Sequence, residues 1–275
     1  MSVIIKNNYR VIAMLMTKNE NYLRVGDDLW KPKHDLSMIE QYLFDIQHYV
    51  DGVVVVYNKK SNDGKYQKSD GTLEILQTAK VVKKIHINPM DQLNFDGSRD
   101  RQILFDMAKE FDPEFFFTID ADEIACDQIV NWLPHAFNDR NTNLWYFKEI
   151  NLWRSRIKYR TDKWNNSWFP RLFRNVPGIK SWKDDPSKSG IHEHRVPYHI
   201  PGQVGRCQEV GILHFAWVNW KDRVEKTERY IRHEMVIRKA SYEEVAALYV
   251  NDTDETGLQL GDVSKEWKFY EYDGL

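Results

Sequence analysis

Short apolar runs alternate with segments of helical period along most of the chain. Arg10 to Met16 reads as a buried strand, Val53 to Tyr57 as a β-branched one, Val81 to Ile87 as a third strand and Phe115 to Ile119 as a fourth. Between the first two, Ile39, Leu43, Ile46 and Val50 recur at helical spacing after Asp35, a candidate N-cap. Thr72 to Ala79 predicts a short helix. A longer one starts at Gly97-Ser98, sets Arg99 in its first turn, and buries Ile103, Leu104, Met107, Ala108 and Phe111. Strands and helices in this order predict βαβ units, and hence an α/β fold with a mixed, mostly parallel sheet flanked by helices.

The pattern loosens after Leu144 to Phe147. From Lys148 to Lys188 basic and aromatic residues follow one another without a clear period. Order returns with a strand over Gly211 to Ala216 and an amphipathic helix over Trp220 to Ile237, carrying Val224, Tyr230, Ile231 and Met235. Ser241 with Glu244 is a capping-box pattern for one more helix. The last dozen residues show no period and are expected to form a docked or mobile tail.

Composition narrows the class. A chain of 275 residues that is 42% hydrophobic and 29% charged suits one large folded domain rather than a disordered segment. A net charge of -2 gives no overall attraction to polyanions. No apolar run approaches the roughly 18 residues of a membrane-spanning helix, and the N-terminus lacks the apolar core of a signal peptide. Cys126 and Cys207 have neither zinc nor disulfide-framework spacing, so free thiols and a cytoplasmic location are the expectation.

The sharpest local signal is Phe115-Phe116-Phe117-Thr118-Ile119-Asp120-Ala121-Asp122. A buried strand that delivers two carboxylates into a crevice is costly unless they bind something, and hard oxygen ligands suit Mn²⁺ or Mg²⁺ bridged to a diphosphate. The plainer alternative is a turn in which an aspartate caps the following helix. Glu123 is expected to begin that helix and to orient the ligands.

At this point the chain resembles the family 2-like GT-A glycosyltransferases, whose Rossmann-like domain is that of the nucleotide-diphospho-sugar transferases. Thr17-Lys18-Asn19-Glu20 looks like the family's Lys-Asn-Glu donor loop, and Asn58 through Gly64 like its Asp-x-x-Ser-x-Asp-Gly loop. Arg99 matches the arginine before the helix that leads to the acidic motif. Pro170-Arg171-Leu172-Phe173-Arg174, Gly190-Ile191-His192-Glu193 and Leu213-His214-Phe215 are similar to three downstream elements. These matches run in the expected order over roughly residues 10 to 235.

The resemblance implies Asp120 near the ribose or metal, Asp122 and His214 as metal ligands, and Glu193 as the base that deprotonates an acceptor hydroxyl. Thr17, Asn19, Glu20, Asn58 and Arg99 would line the donor. A hydrogen-bonded core histidine at His214, a surface glutamate paired with Arg195 at Glu193, and a surface salt bridge at Arg99 are the plainer alternatives. One departure is Asn58, which stands where the family has a base-contacting aspartate; its amide still reads a pyrimidine edge but makes uracil less certain.

The expected organisation is a single domain over 1–275, with a donor-binding half at 10–122, an acceptor-binding and catalytic half at 123–218, and a helical extension at 219–275. A single displacement assisted by metal and base implies inversion at the anomeric carbon. Lys148 to Lys188 has eleven basic residues against four acidic ones, interleaved with Trp153, Tyr159, Trp164, Trp168 and Trp182. That surface suits a phosphorylated or lipid-linked glycan or, less well, a nucleic acid, unless the aromatics are core and the bases ordinary surface. A nucleotidyltransferase and a non-catalytic nucleotide-sugar or carbohydrate-binding protein are the rival readings; the first lacks its usual Gly-rich basic N-terminal signature, and the second is not excluded by fold.

Overall fold

The computed structural model describes residues 9–17, 36–59, 68–89, 97–162, 167–182, 194–246, 257–263 and 267. In chain order they form β1 (Val11–Thr17), α1 (Met38–Ile46), β2 (Gly52–Tyr57), α2 (Thr72–Thr78), β3 (Val82–Ile87), α3 (Gly97–Lys109), β4 (Phe115–Thr118) and β5 (Glu123–Ala125). There follow α4 (Gln128–Asn138), β6 (Thr142–Asn151), β7 (Lys158–Arg160), β8 (Trp168–Arg174), β9 (Gln203–His214), α5 (Trp220–Arg238) and β10 (Leu260–Asp262).

Eight strands make one sheet in the order β3-β2-β1-β4-β8-β6-β9-β5. β1 pairs in parallel with β2 and β4, β2 with β3, and β6 with β9. β8 is antiparallel to both β4 and β6, and β5 to β9. Only β8 and β5 therefore run against the rest, the mixed, mostly parallel sheet of an α/β fold. β10 pairs with β7 in a separate two-stranded ladder.

Alternation along the central strands sorts their side chains onto two faces. Val11, Ala13 and Leu15 of β1, Val53, Val55 and Tyr57 of β2, and Phe115 and Phe117 of β4 pack with Ile39, Tyr42, Leu43 and Ile46 of α1 and with α4. Ile12, Met14, Val54, Val56 and Phe116 turn the other way, onto Leu104, Phe105 and Ala108 of α3 and onto Trp182. Burial on both faces is why these strands read as unbroken apolar runs. Each such side chain contributes about 1.5–3 kcal/mol of burial, and the Phe105, Phe116 and Phe173 rings add edge and tilted contacts at 5.0–6.1 Å.

Several boundaries differ from the sequence expectation for local reasons. The N-cap of α1 is Ser37, whose hydroxyl accepts from Glu40 N while Glu40 reaches back to Ser37 N. Glu123 opens strand β5, not a helix, because it pairs opposite His214 of β9; the next helix starts at Gln128. The late strand extends back to Gln203. The irregular stretch holds the end of β6, all of β7 and β8, and two buried tryptophans, Trp153 and Trp182. β10 precedes the last dozen residues, of which only Trp267 is described, set against Tyr159. Ser241 and Glu244 make the reciprocal bonds of the capping box.

Candidate functional site

The carboxyl ends of β1, β2, β4, β6 and β9 share one edge of the sheet. Strand order proceeds outward from β1 through β2 to β3, then restarts on the other side of β1 with β4. The strand order thus reverses at β1, with α1 packed on one face and α3 on the other, and beyond the strand ends at such a switch point open α/β sheets form their ligand-binding crevice. Thr17 ends β1 on one side of that crevice, and the turn Asp120-Ala121-Asp122 follows β4 on the other.

Backbone bonds fix this turn at both ends. Glu123 N donates to Asp120 O at 3.0 Å, and Phe215 N donates to Asp122 O at 2.8 Å. The second bond staples the turn to the end of β9 and brings Asp122 Oδ2 within 3.7 Å of His214 Nε2. His214 lies in register with Glu123 on β5 and with Asn151 on β6. Its Nδ1 sits 2.8 Å from Asn151 Oδ1 and 3.4 Å from Glu149 Oε1. Both partners are acceptors, so Nδ1 carries a proton, while Nε2 faces Asp122 Oδ2 and Lys226 Nζ, the latter 3.3 Å away on α5. Burial and the Lys226 ammonium pull the His214 pKa down, but Glu149 and Asp122 outweigh them and hold it above its ordinary value. The pocket thus favours positive charge at Nε2.

Asp120 faces a different set of partners. Its Oδ2 accepts from Arg195 Nη1 at 2.7 Å and its Oδ1 from Arg101 Nη2 at 3.4 Å, while its backbone N–H donates to Glu123 Oε2 at 2.9 Å. Glu123 is fully buried and takes a bidentate pair from Arg171 at 2.5 and 2.7 Å; Arg171 also reaches Glu149 at 2.9 Å. Arg195 bridges Asp120, Glu123 and Glu149. Burial would raise both glutamates, but for Glu123 the guanidinium groups of Arg171 and Arg195 prevail and lower its pKa. For Glu149 the same balance, led by His214 and then Arg195 and Arg171, brings the carboxyl down to about 2. Glu123 and Glu149 thus stay ionised, with the guanidinium groups of Arg101, Arg171 and Arg195 woven among them and Asp120.

On the donor side, Asn58 follows β2 and its backbone N–H bonds Thr17 O at 2.9 Å. Its Nδ2 donates to Asp100 Oδ2 at 3.0 Å, and its Oδ1 accepts from Asn88 Nδ2 at 2.5 Å. Arg99 pairs with Asp100 at 2.8 Å. Asp100, in the first turn of α3, is buried and is the carboxylate that Asn58, Asn88 and Arg99 share.

Of the site residues expected from sequence, Thr17, Asn58 and Arg99 gather at the ends of β1, β2 and α3, and Asp120, Asp122 and His214 at the ends of β4 and β9. Asp122 approaches His214, whereas Asp120 is drawn to Arg195 and Arg101. Among the described residues no group of three or more His, Cys, Asp or Glu side chains is arranged to hold a metal ion. Asn19, Glu20 and Glu193, with Ser61, Asp63 and Gly64, lie outside the described residues.

Four of the eight described basic residues of the stretch turn inward. Arg156, Arg160, Arg171 and Arg174 are buried, and Arg160 and Arg174 pair with Asp162 and Glu114. Sequence reasoning missed Glu149, Asn151, Asp100, Arg101 and Lys226. Glu149 and Asn151 leave a faint signal, two polar residues at alternate positions just after an apolar strand. No described helix is long and apolar enough to cross a membrane.

No family model matches the chain, and no curated protein matches it. Solved structures do resemble it. A structure of S. aureus TarS 1-349 in complex with UDP-GlcNAc is 17% identical with TM-score 0.32, over 52% of this chain and 35% of that one. A cytidylyltransferase from Leptospira borgpetersenii is 11% identical with TM-score 0.40, over 88% of this chain and 94% of that one. A 4-diphosphocytidyl-2C-methyl-D-erythritol synthase from Anaerococcus prevotii is 9% identical with TM-score 0.33, over 63% of this chain and 73% of that one. This chain therefore spans about a third of the TarS structure.

Proposed function

We propose that the chain is a metal-dependent, inverting glycosyltransferase of the GT-A type, which moves a sugar from a nucleotide diphosphate sugar, a UDP-sugar first, to an acceptor hydroxyl. The observation that carries the reading is the pairing of Asp122 with His214 beyond the ends of β4 and β9, beside the switch point of the sheet.

That pair fits a divalent ion. Ligands at right angles on an ion with ~2.1 Å bonds stand ~3.0 Å apart, so the 3.7 Å between Asp122 Oδ2 and His214 Nε2 closes with a small side-chain adjustment. Asn151 and Glu149 hold the Nδ1 proton, so Nε2 is the nitrogen that would meet an ion, which would take the place of the proton that Asp122 and Glu149 favour there. A carboxylate with an imidazole suits Mn²⁺ better than Mg²⁺, and an ion there would leave further positions to diphosphate oxygens. When bound, such an ion neutralises the charge that develops on the departing nucleoside diphosphate.

The chain's own residues account for the rest. Arg195 and Arg101 hold Asp120 in one orientation at the mouth of the crevice, where it can meet a ribose or the ion. Thr17, Asn58 and Arg99, with Asn19 and Glu20 in sequence beside the first, line the side for the nucleoside. Glu193 takes the acceptor proton; it lies two residues before Arg195, which is anchored in the cluster. The two halves, 10–122 and 123–218, then hold donor and acceptor respectively, and a glycan hydroxyl is the acceptor class.

Release of nucleoside diphosphate from a panel of UDP-, GDP- and dTDP-sugars with Mn²⁺ tests the reading. Asp122→Ala is expected to abolish release, and Glu193→Ala to abolish transfer while donor binding persists. Pyrophosphate release from a nucleoside triphosphate and a sugar phosphate would instead assign a nucleotidyltransferase. Donor binding without turnover would assign a binding protein, and a retained anomeric configuration by NMR would remove the inverting mechanism.

A further inference from the structure

We infer that Lys226 is a donor-binding residue that grips the diphosphate, an inference that rests on the nucleotide-sugar reading of the same crevice. The argument begins with how firmly α5 is seated. Asn219 caps it by accepting from Asp222 N at 2.8 Å. Arg223 is buried, donates to Trp217 O at 2.8 Å, and lies over the rings of Trp153 and Trp220 at 5.0 and 5.5 Å. Lys226 stands one turn beyond Arg223, on the same side of the helix.

Its ammonium comes to rest 3.3 Å from His214 Nε2 and 4.8 Å from the centre of the Trp217 ring. That places a positive charge at the nitrogen that also faces Asp122. A divalent ion held by Asp122 and His214 would stand beside this ammonium, and the repulsion between two such cations is relieved further when an anion with several oxygens lies against both. A diphosphate is such an anion, with oxygens enough to meet an ion on one side and an ammonium on the other. Lysine is suited to the task as a point charge on a flexible stem. In the reaction, Lys226 would stabilise the nucleoside diphosphate as the bond from its terminal phosphate oxygen to the anomeric carbon breaks and that oxygen takes the electron pair. The electron pair for the new bond comes from the acceptor hydroxyl oxygen, and its proton goes to the base.

Calorimetry tests this on the full chain with UDP, GDP, CDP and dTDP and the four corresponding nucleosides, each with Mn²⁺ or with EDTA. In wild type at least one diphosphate should bind more tightly than its nucleoside. Lys226→Met should weaken that diphosphate by ~10–100-fold, as expected for a lost hydrogen bond to a charged group, with nucleoside binding and Mn²⁺ affinity undiminished. Lys226→Arg should restore most of the loss. Unchanged diphosphate affinity in Lys226→Met would overturn the inference and leave the nucleotide-sugar reading standing. Equal losses of nucleoside and diphosphate would assign Lys226 a purely structural part. If wild type binds none of the four diphosphates, the parent reading falls with it.

Discussion

Replacing Arg171 by Met tests whether the ionised cluster at the strand ends is held together by its own pairing. Arg171 and Glu123 are both fully buried, with bidentate contacts at 2.5 and 2.7 Å, and a third bond ties Arg171 to Glu149. Methionine matches much of the arginine stem but leaves Glu123 and Glu149 to share Arg195. Removing one partner of a buried pair costs ~3–5 kcal/mol, because the other charge is left without compensation. At about 2.1 cal/mol/K per residue the unfolding entropy of this chain is ~0.6 kcal/mol/K, so the midpoint should fall by ~5–9 °C. Differential scanning calorimetry at neutral pH measures it. Lys84→Met, which removes an exposed pair with Glu110, is the control and should cost under ~1 kcal/mol. The double variant Arg171→Met with Glu123→Gln removes one charge of each sign and should be more stable than Arg171→Met alone. Equal midpoints for Arg171→Met and Lys84→Met would refute the reasoning, as would a double variant less stable than the single one.

Two further outcomes follow from the geometry. Asn151→Leu takes away the closer acceptor at His214 Nδ1 and should lower Mn²⁺ affinity ~10–100-fold with little change in fold, measured by manganese paramagnetic relaxation and circular dichroism; an unchanged affinity would detach Asn151 from the metal site. Burial holds the Cys207 thiol up to about 12 and raises that of Cys126 further. Since the thiolate is the reactive form, iodoacetamide at pH 8 should label neither in the native chain and both in denaturant, by intact mass; rapid native labelling would contradict their burial.

The central fold was legible because burial on both faces of β1, β2 and β4 leaves an unmistakable apolar run, and because helical spacing exposes the stripes of α1 and α3. β7, β8 and the first half of β9 escaped for the converse reason. β7 and β8 carry Arg160, Arg171 and Arg174 inward, and a buried arginine reads in sequence like a surface one, while Gln203 to Gln208 of β9 is mostly exposed and has no apolar run. Asp122 and His214 were visible as residues, at the ends of recognisable strands, but their pairing depends on the bond from Phe215 N to Asp122 O, which no spacing reveals. Glu123 misled because a carboxylate after a strand looks like the start of a helix, whereas its partners Arg171 and Arg195 lie far along the chain. Lys226 had no signal beyond its place on an amphipathic helix.

The small ladder of β7 and β10 has a mechanical consequence. Leu152 N donates to His214 O, Leu152 bridges to Tyr159, and Tyr159 pairs with Gly261. One row of main-chain contacts thus runs from the seat of the histidine to a stretch of chain some hundred positions further on than β7, where Lys158 meets Asp262, 104 residues away. Tension or slack introduced at that distant stretch would be felt as a tilt of the imidazole, as a loosened stay line lets a mast lean.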